Sequence, residues 1–104
     1  MLTGKAKEQF EKWIMKSMND TSYPSAYRSY IDWFYDLPQS MQFGVVQDYA
    51  DSIGKALMVY RVSIPNGWHI VFGDTTLYVK KESIDEARKA AIKAFDEIVN
   101  RELN

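Results

Sequence analysis

The 104-residue chain contains no cysteine, which excludes a disulfide framework and any thiolate metal site and suits a reducing cytoplasm. Long apolar runs are missing as well. No stretch approaches the roughly 18 uninterrupted apolar residues of a membrane span, and the opening MLTGKAKEQF lacks the apolar core of a signal peptide. A soluble intracellular protein, with no membrane partner, is the expectation. The three prolines and five glycines are scattered, so there is no linker, repeat, phosphate loop or dinucleotide fingerprint. HExxH and GxSxG are absent too. Neither charge is in surplus: 13 basic against 14 acidic residues leave −1, and no overall field draws the chain to nucleic acid or anionic lipid.

Aromatic side chains are what the chain has in quantity. Three Trp, seven Tyr and five Phe make up 14% of it, and such groups dominate cores and interfaces alike. The length is that of one domain, able to bury about two thirds of its unfolded surface without staples. From about Thr3 to Asn19, Ala6, Phe10, Trp13, Ile14 and Met18 fall on one arc of a helical wheel. A second helix is predicted from Pro24 to Leu37, with Tyr27, Tyr30, Ile31, Trp33 and Phe34 on one broad face and Tyr35 at its margin. A third runs from Pro38 to about Ile53, with Met41, Val45, Val46, Tyr49, Ala50 and Ile53 inward. Gly54 ends it.

Three strands follow. Alternation over Leu57 to Ile64 puts Met58, Tyr60, Val62 and Ile64 on one face, to meet Trp68, Ile70 and Phe72. A three-residue loop at Pro65-Asn66-Gly67 pairs Ile64 with Trp68 and Val62 with Ile70, with Gly67 as its left-handed residue. A second hairpin turns at Gly73-Asp74 and pairs Phe72 with Thr75, Ile70 with Leu77 and Trp68 with Val79. Ser83 and Glu86 then form a capping box for a last helix, with Ile84, Ala87, Ala91, Ala94, Phe95 and Ile98 inward. The fold class is α+β, in the order α-α-α-β-β-β-α: an antiparallel meander packed against helices, in a single domain with an N-terminal helical pair (residues 1–37) before an α-β-β-β-α unit (residues 38–104).

Two surfaces stand out. The aromatic helix carries Tyr27, Tyr30, Trp33 and Tyr35, residue types that dominate binding hot spots, and one contact surface does not absorb them all. The outer sheet face is predicted to gather Arg61, His69, Tyr78 and Lys80, one aromatic ring among cations, as single-stranded nucleic acid or a nucleotide requires. His69 is the only histidine. A general base needs a group that orients its imidazole, and no carboxylate is placed beside it. The pairs Asp32 with Asp36 and Asp48 with Asp51 sit at helical spacing and read as solvated faces rather than a cation site. No catalytic residue, metal or cofactor is assigned, and the chain is not expected to be an enzyme.

From Gln39 to Asn100 the order helix, three strands, helix is similar to that of double-stranded-RNA-binding domains, and DEARKAAIKAF at Asp85 to Phe95 resembles their alanine-rich last helix. That family meets phosphates with a basic cluster opening this helix. Here Glu82, Ser83, Asp85 and Glu86 stand in its place, so the resemblance implies the architecture without the RNA contacts. Over nearly the whole chain, LTGKAKEQFEKW, FYDLPQSMQFGVVQDYADSIG and EARKAAIKAFDEIVN resemble short proteins encoded by bacteriophages and prophages of gut Bacteroidales. This implies an accessory protein in the bacterial host cytoplasm. The expected partner is a host or phage protein, or a second copy of the chain, held through the aromatic helix; nucleic acid on the outer sheet face is the alternative.

Overall fold

The computed structural model describes residues 1–18, 30–63, 66–81 and 83–103, with the side chains of Met18 and Asn66 left out. The elements are α1 (Gly4–Met18), α2 (Tyr30–Asp36), α3 (Gln39–Ser52), β1 (Leu57–Ser63), β2 (Asn66–Phe72), β3 (Thr75–Val79) and α4 (Ile84–Leu103). This is the α+β order that the sequence implies. Tyr27 and the predicted start of the second helix lie outside the described residues.

Leu2, Ala6, Phe10 and Ile14 recur every four residues, and all four are buried; the stripe is the face that α1 turns to α2 and α4. Edge-to-face rings then join the four helices. Phe10 of α1 meets Phe34 of α2 at 4.9 Å and Tyr49 of α3 at 5.2 Å, and Tyr49 meets Phe95 of α4 at 6.2 Å. Such contacts contribute about 0.5–1.5 kcal/mol each beyond the area they bury. In α3, Phe43, Val46, Tyr49 and Ala50 are the buried residues, whereas Met41 and Ile53 are exposed. Apolar residues surround this helix on more than one side, so periodicity alone does not set its rotation. Packing on α4 and β1 does.

At the start of α4 the Ser83 Oγ accepts from the Glu86 amide at 3.2 Å, the cap expected there. Ala87, Ala91, Ile92, Phe95 and Val99 are buried along it. Asp96 is buried too, at 8% exposure, although spacing marks no polar residue on this face. It accepts from the Thr3 amide and the Thr3 hydroxyl, both at 2.7 Å, and from Asn100 Nδ2 at 2.9 Å. Asn100 Oδ1 accepts from the Ala6 amide at 2.9 Å. Side chains of the last helix thus satisfy amides at the first turn of α1, which otherwise lack helical partners, and fasten the two ends of the chain together.

The sheet is antiparallel in the order β1-β2-β3. Its second hairpin has the expected register, Phe72 with Thr75, Ile70 with Leu77 and Trp68 with Val79, and Gly73 turns it at φ +55°. The first hairpin departs from expectation. Ser63 pairs with Asn66, Arg61 with Trp68, Val59 with Ile70 and Leu57 with Phe72. Asn66 and Gly67 therefore belong to β2 rather than to a loop, and Gly67 has no positive φ. This register differs from the predicted one by an odd number of residues, so β1 turns the opposite set of side chains inward. Leu57 is buried and Val59 packs on the core with Ile70 and Phe72, while Met58 and Tyr60 are exposed. Both faces of β1 carry apolar residues, which is why alternation chooses the wrong one.

Helices α3 and α4 pack on the inner face. Helices α1 and α2 join them there through the ring cluster, and among the described residues the outer face carries exposed Met58, Tyr60 and Tyr78. No described helix is long and apolar enough to cross a membrane.

Candidate functional site

On the outer face the ladder brings three rings into one row, because Tyr60 pairs with His69 and His69 with Tyr78. Tyr60 and His69 meet edge to face at 5.2 Å, His69 and Tyr78 at 6.3 Å. The Tyr60 hydroxyl is 3.0 Å from His69 Nδ1, a hydrogen bond that orients the imidazole. Met58 pairs with Val71 and Val71 with Thr76 in the next row, and Val62 pairs with Gly67 on the far side. No strand residue on this face is charged. Tyr60 is 43% and Tyr78 42% exposed.

Gly67 is required here by close approach. A Cβ at this position would lie 2.6 Å from Tyr78 Cε2, 2.7 Å from its hydroxyl and 2.7 Å from the Val79 carbonyl. The Tyr78 ring covers the glycine, and any larger residue pushes the ring off the sheet.

Of the four residues predicted for this face, His69 and Tyr78 are brought together. Lys80 is exposed just beyond β3. Arg61 is not on the face: paired with Trp68, it shares the parity of inward Val59, and its guanidinium sits over the Trp68 ring at 6.0 Å. Trp68 in turn donates from Nε1 to the Lys81 carbonyl at 3.1 Å. The predicted cluster is therefore corrected in its membership: Arg61 leaves the face, and Tyr60 joins His69 and Tyr78 in an aromatic row. Tyr60, Met58 and Val62 were hidden by the wrong register, and the signal that reveals them is Gly67, which fits a strand covered by a cross-strand ring.

The aromatic helix is used differently from expectation. Phe34 is fully buried, Tyr30 packs partly on the core, and Trp33 and Tyr35 are each 37% exposed. Tyr35 is tied to α1: its hydroxyl donates to Glu11 Oε1 at 3.1 Å, and Lys7 lies 5.9 Å from its ring. Burial first, then the Glu11 charge and hydrogen bond, push its phenol up to about 12. Burial also raises Tyr49. Of the aromatic residues named from sequence, the three described ones are thus divided: Tyr30 packs on the core, Tyr35 is tied to α1, and Trp33 is partly exposed.

A groove of about 660 Å³ runs between the N-terminus, α3 and α4, past Thr3, Gln39, Gln42, Lys89, Asp96 and Glu97. Two of its polar side chains serve the fold. Gln42 donates to the Phe34 and Tyr35 carbonyls at 3.2 and 3.1 Å, and Asp96 is held by Thr3 and Asn100. Among the described residues no three His, Cys, Asp or Glu side chains gather to hold a metal ion. Comparison of the chain with protein-family models, with curated proteins and with solved structures finds no match.

Proposed function

We propose that the chain is a non-enzymatic interaction module that binds a protein partner through the outer face of its sheet, centred on Tyr60, His69 and Tyr78. The observation that carries this reading is the exposed aromatic row itself, flanked by Met58, Val62 and Val71 and without a charged strand residue. Tyrosine and methionine enriched in a patch depleted of charge are the composition of an interface centre. A host or phage protein in the bacterial cytoplasm is the partner this reading takes, in keeping with the resemblance to bacteriophage and prophage proteins. The order of α3, the three strands and α4 fits the resemblance to double-stranded-RNA-binding domains, yet Asp85 and Glu86 open α4 where phosphate contacts need cations.

A tagged pull-down from host lysate, with and without nuclease and at low and high salt, tests the proposal. A stoichiometric protein that survives nuclease and salt, and is lost with Tyr60→Glu, is the expected result. Nucleic acid retained at low salt alone, with no such protein, overturns it in favour of a stacking platform for single strands.

A further inference from the structure

The two edges of the sheet are finished differently. The Gly73 amide donates to the Ala56 carbonyl at 3.1 Å, which fixes the alternation of the ladder. In β1, Met58, Tyr60 and Val62 turn their backbone groups toward β2, and Leu57, Val59, Arg61 and Ser63 turn theirs to the outer edge. That edge is blunted. Gln47 of α3 donates to the Leu57 carbonyl at 3.0 Å, and Arg61 sets a charge in mid-strand, one of the devices that keep an edge from pairing.

In β3 the same alternation gives Thr75, Leu77 and Val79 to β2 and directs the backbone groups of Thr76 and Tyr78 away from it. β3 is last in the strand order. Its five residues, TTLYV, carry neither charge nor proline, and four of them are exposed. A β-branched, uncharged edge of this kind is a template for another strand.

We infer that β3 pairs antiparallel with β3 of a second copy, with Leu77 on the two-fold axis, to form a continuous six-stranded sheet. Charge complementarity selects this occupant and this register. Thr76 falls opposite Tyr78 of the second copy, so that edge-directed groups meet edge-directed groups, and Asp74 falls opposite Lys80. The match occurs twice, because the interface is isologous. Sliding the pairing by two residues in either direction parts Asp74 from Lys80; sliding it by one sets edge-directed groups against groups already bonded to β2. Both aromatic rows then lie on one face and approach each other at Tyr78, whose two copies become diagonal neighbours about 7–8 Å apart. The pairing uses the edge and leaves the outer face open, so it stands independently of the binding role proposed above.

Sedimentation equilibrium of the full chain tests the inference. Dimer is expected, with Lys80→Glu raising its Kd about tenfold and the combined Asp74→Lys, Lys80→Glu swap restoring it. Thr76→Pro removes an edge-directed N–H, spares every β2 bond and abolishes the dimer with unchanged circular dichroism. Because the chain has no other cysteine, Leu77→Cys is a clean probe. Facing Cα atoms at a non-hydrogen-bonded pair are about 4.5 Å apart, within disulfide reach, so mild oxidation yields a covalent dimer with Leu77→Cys but not with Thr75→Cys. A monomer at every concentration, or a dimer indifferent to Lys80→Glu and Thr76→Pro, overturns the inference.

Discussion

The helical layer and the outer sheet face are both built around aromatic rings, and they use them in opposite ways. Phe10, Phe34, Tyr49 and Phe95 meet edge to face inside, with both phenylalanines of the α1–α2 contact at 0% exposure. Tyr60, His69 and Tyr78 make the same kind of edge contact on the surface. Ring-to-ring geometry therefore does not separate core from open surface. What separates them is the layer above: α1 and α2 close over the first cluster, and no described element closes over the second.

Removing a ring should thus cost very different amounts in the two regions. Phe34→Ala is expected to lose about 3–5 kcal/mol in denaturant unfolding, whereas Tyr60→Ala stays within about 1 kcal/mol. Equal losses would break the comparison. Next in size is Asp96→Ala, which removes the carboxylate from the Thr3 amide and hydroxyl; roughly 2–3 kcal/mol is expected, with α1 loosened first in amide exchange. Gly67→Ala follows at about 1–3 kcal/mol, because the new methyl meets both the Tyr78 ring and the Val79 backbone. Trimming that ring with Tyr78→Ala in the same chain should recover part of the loss, which sharpens the assignment of Tyr78 to a covering role.

The smallest effect is on pH. The Tyr35 phenol titrates at about 12 in the folded chain against 10 for the ordinary group. A raised folded value means that its stabilising share is complete below about pH 10 and is lost as pH rises toward 12. Wild type should therefore lose more stability over that interval than Tyr35→Phe, measured by denaturant midpoints at each pH. Equal losses would contradict the burial of the phenol beside Glu11.

Helix and strand order were legible in the sequence because each element has its own punctuation: Ser83 and Glu86 open α4, Pro38 precedes α3, and Gly73 turns the second hairpin. The first hairpin was not, since apolar residues on both faces of β1 fit either register. The register that alternation favours puts Arg61 on the outer face and Tyr60 in the core, the reverse of their observed places. Asp96 was equally hidden. Its partner Thr3 is 93 positions away, and nothing local marks a carboxylate that caps a distant helix.

Hydroxyl-radical footprinting, run on the chain alone and with the protein recovered in the pull-down, tests the proposed assignment most directly. Met58, Tyr60 and Tyr78 should be labelled in the free chain and protected in the complex, with Trp33 labelled in both. Protection of Trp33, with Met58, Tyr60 and Tyr78 unchanged, would contradict the account and return the binding surface to α2.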